Sequence, residues 1–228
     1  MAHIGDFTTS NWRSDDFKGW ASREWDASGK SFTFEWKTDA GDQIGRMGVT
    51  YGSHLLGGKI DEMPAESVMS TDATFTPATD HWFWYAIYGW TNGDYTYWGN
   101  TKGGWNNEFY VIFHTDEPTA DFLKDKGVVA IGNVTVDGVT FDCFRTPRAV
   151  QSQWFAVTRS KTWSASVNLK KIFDYWRSQG LGNEAIVDLG WAVEGFSGSA
   201  GKLQLTNVVI PNLSAPAGAV KTSPAPGH

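Results

Sequence analysis

The amino-acid sequence predicts an all-β domain built from stacked sheets, with a single α-helix. Most segments of the 228-residue chain alternate apolar and polar residues with a period of two, the pattern of β-strands. Turn-forming residues separate these segments, and one stretch in the C-terminal third has helical spacing instead. This length is ordinary for one all-β domain, so residues 1–213 are predicted to form a single domain.

The alternating segments place the strands. They are Phe32–Trp36, His81–Trp90, Glu108–Phe113, Val128–Val136, Val139–Phe144, Trp154–Val157, Trp163–Val167 and Leu203–Ile210. His81–Trp90 is apolar on both faces, which is expected of a strand covered by two stacked sheets. Thr91–Asp94 predicts a turn, and Asp137-Gly138 predicts a tight hairpin.

The helix is predicted at about residues 168–179. Its apolar residues recur with a period near 3.6: Leu169, Ile172, Phe173 and Trp176. Ser166 or Asn168 can cap its start, and Gly180 can end it. Beyond the domain, residues 214–228 are rich in Ala, Pro and Ser and predict a flexible tail or a truncated linker.

Composition excludes several classes of function. The net charge of −6 argues against nucleic acid and anionic membrane surfaces as partners. No apolar run approaches membrane-spanning length. None of the five histidines has a zinc-binding spacing, so no metal or cofactor is expected. The lone cysteine, Cys143, is interpreted as a small buried apolar side chain.

Aromatic residues are abundant, with 13 Trp, 14 Phe and 7 Tyr. Exposed aromatic faces suit sugar rings, whose axial C–H bonds present an apolar surface. Aromatic residues also fill sandwich cores. Composition leaves both interpretations open.

Two glutamates have unusual sequence contexts. Glu108 starts an aromatic strand, and alternation places Tyr110 on its face. Glu194 has apolar neighbours in Trp191–Phe196. Apolar surroundings disfavour the charged form of a carboxyl group, which is the property that a general acid needs near neutral pH. For either glutamate alone, a solvated residue at a strand end is the simpler interpretation.

Several segments together resemble glycoside hydrolase family 11, the jelly-roll xylanases. In order along the chain they are Tyr88–Thr91, Glu108–Ile112, Val136–Gly138 with Phe141-Asp142 and Thr146–Arg148, Gln153–Val157 with Ser160-Lys161, Phe173–Trp176 and Val193–Ala200. The resemblance runs from about Thr33 to Ile210. It implies a β-jelly roll whose two curved antiparallel sheets form a cleft.

The resemblance also implies a secreted, monomeric, retaining endo-β-1,4-xylanase that acts on plant cell-wall xylan without a cofactor. Glu108 would be the nucleophile and Glu194 the acid/base. A carbohydrate-binding module beyond the linker would fit the tail. Other residues that the resemblance implies in substrate binding are Tyr88, Trp90, Tyr110, Arg148 and Gln153, with either Trp12 or Trp20 as the platform for a distal sugar. Arg148 could also hold Glu108 ionised.

Asp42 falls where the family carries Asn or Asp beside the acid/base. Aspartate there goes with activity at acidic pH, because two neighbouring carboxyl groups titrate as a unit. The resemblance therefore implies an acidic optimum, with Asp42 modulating Glu194.

Three departures from the family concern the substrate. The family's long thumb hairpin is reduced to the four residues 149–152. Residues 92–107 form an aromatic insertion, which either rebuilds a cleft wall or is only a surface hairpin. Asp188 stands six residues before Glu194, where the family often has tyrosine.

Three functions remain open at this point. The first is a xylanase. The second is an enzyme of the same fold and mechanism that acts on another polysaccharide, such as a β-glucan or a substituted or acidic hemicellulose. The third is a carbohydrate-binding jelly roll without catalysis, for which the two glutamates would not be needed.

Overall fold

The computed structural model describes residues 2–4, 7–13, 20–25, 30–39, 45–51, 59–79, 83–92, 107–115, 127–146, 152–160, 162–195 and 198–211. These residues form fourteen strands, one α-helix and a single 3₁₀ turn at Ile60–Glu62. The predictions made for Asp42, Arg148, most of the 92–107 insertion and the 214–228 tail lie outside the described residues. No helix of the described part is long and apolar enough to cross a membrane.

The strands form two sheets. The nine-stranded sheet has the order β1-β2-β5-β13-β7-β8-β11-β10-β9, and the five-stranded sheet has the order β12-β6-β14-β4-β3. In chain order the strands are β1 Ala2–Ile4, β2 Phe7–Arg13, β3 Trp20–Trp25, β4 Phe32–Lys37, β5 Gly45–Tyr51, β6 Val68–Thr79, β7 Phe83–Asn92, β8 Asn107–Thr115, β9 Val129–Val136, β10 Val139–Arg145, β11 Ser152–Thr158, β12 Ala165–Asn168, β13 Ala185–Gly195 and β14 Ala200–Val209.

One strand pair departs from the antiparallel pattern. All described pairs are antiparallel except β8 and β11, which run parallel and place Gln153 beside Glu108. A parallel pair requires a crossover connection, and the chain between β8 and β11 supplies it through β9 and β10. The result is that residues from distant parts of the sequence meet at the start of β8.

The main core lies between the two sheets. Alternation in β7 and β8 sends Tyr85, Ile87, Phe109 and Val111 into this core, while the residues between them form a second apolar cluster on the other face of the nine-stranded sheet. The predicted two-faced character of β7 is therefore confirmed. Cys143 is fully buried in the main core, as predicted, and burial raises the pKa of its thiol to about 12.

The predicted helix is present as α1, Leu169–Ser178. Its cap is Asn168, whose side-chain oxygen accepts a hydrogen bond from the backbone N–H of Lys170 at 3.1 Å. Ser166 lies within β12 and does not cap it. Gly180 follows the helix with a φ of 103°, the left-handed conformation that glycine supplies at a helix end.

Some strand boundaries and turns differ from the sequence predictions. The Asp137-Gly138 hairpin is confirmed, with a positive φ at both residues. The turn predicted at Thr91–Asp94 starts too early, because Thr91 and Asn92 still pair in β7. The prediction missed six strands, namely β1, β2, β3, β5, β6 and β13. In β6 the many threonine and serine residues hide the apolar alternation.

Candidate active site

Glu108 and Glu194 lie on the same sheet and point to the same face. Glu108 is on β8 and Glu194 on β13, and only β7 separates the two strands. Both side chains are almost fully buried, with exposed fractions of 6% and 3%. Alternation places them on the face opposite the main core, beside the second apolar cluster.

Glu108 accepts a hydrogen bond on each of its carboxyl oxygens. The hydroxyl of Tyr110 donates to Oε1 at 2.9 Å, and Nε2 of Gln153 donates to Oε2 at 2.6 Å. Tyr110 reaches Glu108 because residues two apart in a strand share a face, and Gln153 reaches it because β11 pairs with β8 in register. Two donors on two oxygens suit an ionised carboxylate, which can only accept.

The Tyr110 hydroxyl also joins Glu108 to Glu194. Its oxygen lies 3.2 Å from Oε1 of Glu194 as well as 2.9 Å from Oε1 of Glu108. The two carboxyl groups therefore face each other across one hydroxyl group. A single hydroxyl carries one proton and can donate to only one of them at a time.

Aromatic rings hold Tyr110 in place. Its ring stacks on Phe155 with a centroid distance of 5.2 Å, and it contacts Tyr88 at 5.0 Å and Trp84 edge-on at 5.6 Å. A ring packed from three sides keeps its rotamer, so the hydroxyl position is fixed before any ligand arrives. Tyr88 thus contacts the site through the Tyr110 ring.

Trp90 and Asp188 lie beside Glu108 on the neighbouring strands β7 and β13. Trp90 pairs with Glu108 across β7 and β8, and Asp188 pairs with Trp90 across β13 and β7. Asp188 is buried, with an exposed fraction of 4%. The structure therefore brings a third carboxyl group onto the face that carries Glu108 and Glu194.

Asp188 shares the face of Glu194 by regular alternation along β13, and a register shift lies just before it. The β13–β7 pairing shifts between Ile186 and Asp188, next to Gly89. A Cβ atom on Gly89 would lie 2.1 Å from the backbone oxygen of Asp188 and 2.4 Å from the Phe109 ring. Only glycine permits this close approach, which explains the glycine of the Tyr88–Thr91 segment.

The two candidate sugar platforms lie on different sheets. Trp12 is on β2 of the nine-stranded sheet and pairs with Arg46, which in turn pairs with Glu194. Trp20 is on β3, in the five-stranded sheet that does not carry the glutamates. Backbone placement therefore favours Trp12.

A polar cluster at the start of β8 was missed in the sequence analysis. Glu184 accepts hydrogen bonds from Nδ2 of Asn107 and from the hydroxyl of Thr91, and the Trp154 indole donates to Oδ1 of Asn107. The sequence held one signal, since Asn107 occupies the strand face that carries Phe109 and Val111. Within the described residues, no group of His, Cys, Asp and Glu could hold a metal ion.

Comparison with known proteins finds xylanases both by sequence and by structure. No family model matches the chain. Endo-1,4-beta-xylanase 4 of Pyricularia oryzae is 25% identical over 66% of this chain, and the match spans 65% of that protein's length. The family 11 xylanase of Neocallimastix patriciarum has a TM-score of 0.65 at 21% identity, with 90% of this chain and 91% of that chain covered.

In sequence the chain is similar to endo-1,4-beta-xylanases, and in fold it is similar to the family 11 xylanases. The two sheets and the one helix of its described residues match the jelly roll of these structures. The same fold occurs in the catalytic domain of Humicola grisea Cel12A, solved with a thio cellotetraose, at a TM-score of 0.70 and 18% identity over 89% of this chain and 91% of that chain. At these identities the solved structures support the fold, while the likeness to xylanases rests on the sequence match.

Proposed function

We propose that the chain is a retaining endo-β-1,4-xylanase, with Glu108 as nucleophile and Glu194 as acid/base. The observation that carries the proposal is the contact of both carboxyl groups with the single Tyr110 hydroxyl. Oε1 of Glu108 lies 2.9 Å and Oε1 of Glu194 lies 3.2 Å from the Tyr110 hydroxyl oxygen, so these two carboxyl oxygens are separated by at most the sum of the two distances. Retaining glycosidases keep their carboxyl groups about 5–5.5 Å apart and inverting ones about 6.5–9.5 Å apart, so this closeness supports retention.

The hydrogen-bond pattern supports the division of roles. Glu108 receives donors on both oxygens and is suited to be the charged nucleophile. The Tyr110 hydroxyl can donate its proton to Glu108. The Tyr110 oxygen can then accept a hydrogen bond from Glu194, provided that the Glu194 carboxyl group is protonated. That is the state in which an acid/base residue begins the reaction.

The reaction then proceeds in two displacements. A Glu108 oxygen bonds to the anomeric carbon while the bond to the leaving oxygen breaks and Glu194 gives that oxygen its proton. A water molecule next attacks the same carbon, Glu194 takes a proton from it, and the bond to Glu108 breaks. Tyr110 and Gln153 stabilise the Glu108 carboxylate before the first step and after the second.

Substrate contacts complete the proposal. Trp90, Tyr88 and Asp188 lie along the face that carries the glutamates and are proposed to contact sugars there. Trp12 is the proposed platform for a distal sugar, in preference to Trp20. Arg148 is also proposed as a substrate contact.

We propose in addition an acidic pH optimum set by Asp42. In this proposal Asp42 and Glu194 share a proton and titrate together. Asp42→Asn should move the acidic limb of the pH–rate profile toward neutral pH. An unmoved profile would contradict this assignment.

The setting of the enzyme is proposed from its relatives. The relatives matched by sequence are named as xylanases, which supports xylan as substrate. We propose action outside the cell as a monomer, with the 214–228 segment serving as a linker toward a carbohydrate-binding module. Gel filtration of the full chain tests the monomeric state.

Reducing-sugar release from xylan, β-glucan and mannan tests the main proposal. We expect release from xylan above the other two. Glu108→Gln and Glu194→Gln should each lower it by about 10³-fold or more, because each residue acts in the bond-breaking step. Glu62→Gln is the matched control, since Glu62 caps the 3₁₀ turn away from this face.

Three results would contradict the proposal. Activity that survives in Glu108→Gln would remove the nucleophile. A product of inverted anomeric configuration, followed by NMR, would exclude the double displacement. Binding of xylan without release would favour a carbohydrate-binding protein.

A further inference from the structure

Glu184 is a half-buried carboxylate that joins three strands of the catalytic sheet. It immediately precedes β13, the strand of Glu194. Its oxygens accept hydrogen bonds from Asn107 at the start of β8, with both N···O distances at 2.7 Å, and from the hydroxyl of Thr91 in β7. Asn107 is the residue directly before Glu108.

The orientation of Asn107 is determined by its other partner. The indole nitrogen of Trp154 can only donate, and it lies 3.0 Å from Oδ1 of Asn107. The Asn107 amide nitrogen must therefore face Glu184. Asn107 is nearly buried, with an exposed fraction of 9%, so this amide depends on the carboxylate for its hydrogen bonds.

The same cluster adjoins both residues of the Glu108–Gln153 contact. Trp154 follows Gln153, the residue that donates to Oε2 of Glu108. Asn107 and Trp154 thus connect Glu184 to the backbone on either side of the Glu108–Gln153 contact. Behind Glu184, its backbone oxygen accepts a hydrogen bond from the N–H of Ile60 at 2.9 Å, which anchors it to the 3₁₀ turn.

We propose that Glu184 is a positioning residue that sets the place of Glu108 relative to Gln153 and Glu194. It touches no reacting atom. It holds the start of β8 through Asn107, and it holds β7 through Thr91, so the nucleophile strand keeps its register against β13. This inference rests on the proposed function. Displacement of a nucleophile by about 1 Å can cost about 10²-fold in rate, so loss of this anchor should appear in catalysis.

The test measures how fast Glu108 is trapped by a 2,4-dinitrophenyl 2-deoxy-2-fluoro-β-xylobioside. The leaving group of this reagent needs no proton, so the trapping rate reports on the nucleophile and not on Glu194. Glu184→Ala should slow trapping, and should lower kcat on xylan, by about tenfold or more with KM within about twofold. Glu184→Gln keeps one acceptor oxygen and should lose less.

The matched control is Glu62→Gln, which removes a carboxylate from the 3₁₀ turn that anchors Glu184 and should leave trapping unchanged. Circular dichroism and thermal melts confirm that each variant is folded at the assay temperature. If Glu184→Ala does not fold, the Glu184→Gln and Asn107→Ala variants and their double variant replace it. Their effects on trapping should be less than additive, because both act through one hydrogen bond.

The outcomes separate this proposal from the function on which it rests. If wild-type protein is not labelled on Glu108, the proposed function fails. If wild-type protein is labelled and a folded Glu184→Ala variant is labelled at the same rate, Glu184 has only a structural role. Additive effects of Glu184→Gln and Asn107→Ala would also overturn the positioning role.

Discussion

The residues on both faces of β8 are buried, but the two faces have different purposes. The face toward the main core carries Phe109 and Val111, whose packing against the helix and the second sheet stabilises the fold. The opposite face carries Glu108 and Tyr110, where aromatic rings surround two carboxyl groups. Burial alone therefore does not separate core from site. The site face differs from the core face because its buried side chains contact polar groups that could act on a substrate.

The largest expected effect contrasts Phe109 with its neighbour Glu108. Phe109 is buried against Phe173 of α1 at a centroid distance of 4.9 Å. Phe109→Ala should lower the free energy of unfolding by about 3–5 kcal/mol, because it leaves a cavity in the main core. Glu108→Gln should leave the thermal midpoint nearly unchanged and remove activity.

Chemical denaturation and the activity per folded molecule measure this contrast. The activity of Phe109→Ala should remain within about tenfold of wild type at a temperature where it is folded. A Glu108→Gln variant that unfolds as readily as Phe109→Ala would show that the two faces are not separable in this way.

A smaller effect is expected at Gly89, which contacts the backbone of Asp188 and the core residue Phe109. Gly89→Ala would bring a Cβ within 2.1 Å of the Asp188 backbone oxygen. The strand pair must open, so we expect a loss of about 2–4 kcal/mol in unfolding free energy. Opening the strand pair also displaces Asp188, so kcat/KM on xylan should fall along with the free energy of unfolding.

Gly127→Ala is the control for Gly89→Ala. Gly127 has a φ of 70°, and a Cβ added there would meet no atom within 4 Å. Its replacement by alanine therefore costs only backbone strain, about 1 kcal/mol. Equal losses at both glycines would mean that close approach is not the reason for Gly89.

Sequence reasoning reached features whose cause is local. Period-two alternation placed Tyr110 beside Glu108, and the positive φ at Asp137 and Gly138 follows from a two-residue hairpin. The helix and its end at Gly180 follow from spacing and backbone freedom. These features depend on neighbours a few residues apart, so the sequence displays them directly.

Contacts between distant residues could not be predicted from local patterns. The Gln153–Glu108 contact spans 45 positions and the Tyr110–Glu194 contact 84, and only the resemblance to a known family suggested that these residues share one site. The Glu184–Asn107 contact spans 77 positions, and neither residue lies in the segments that carried the resemblance. The register shift between Ile186 and Asp188 depends on how β13 pairs with β7, which neither strand shows alone.

The effect expected to be smallest near neutral pH concerns a titrating group on the core side. Burial raises the pKa of the Cys143 thiol to about 12, above the ordinary value of 9.0. The folded protein therefore keeps a proton that the unfolded chain releases, so the thiol's contribution to stability is complete below about pH 9 and is lost as the pH rises toward 12. The slope should be about 1 kcal/mol per pH unit over that window.

Urea unfolding at about pH 8, 9, 10 and 11, with Cys143→Ala as the matched variant, measures this slope. The difference in unfolding free energy between wild type and Cys143→Ala should shrink as the pH rises, since the variant has no thiol to titrate. Burial also raises the pKa of Tyr85, so both proteins share some alkaline loss that the comparison cancels. A constant difference would mean that the thiol titrates normally in the fold. This core thiol should affect only stability, because it lies in the main core and the carboxyl groups of Glu108 and Glu194 lie on the other face of the sheet.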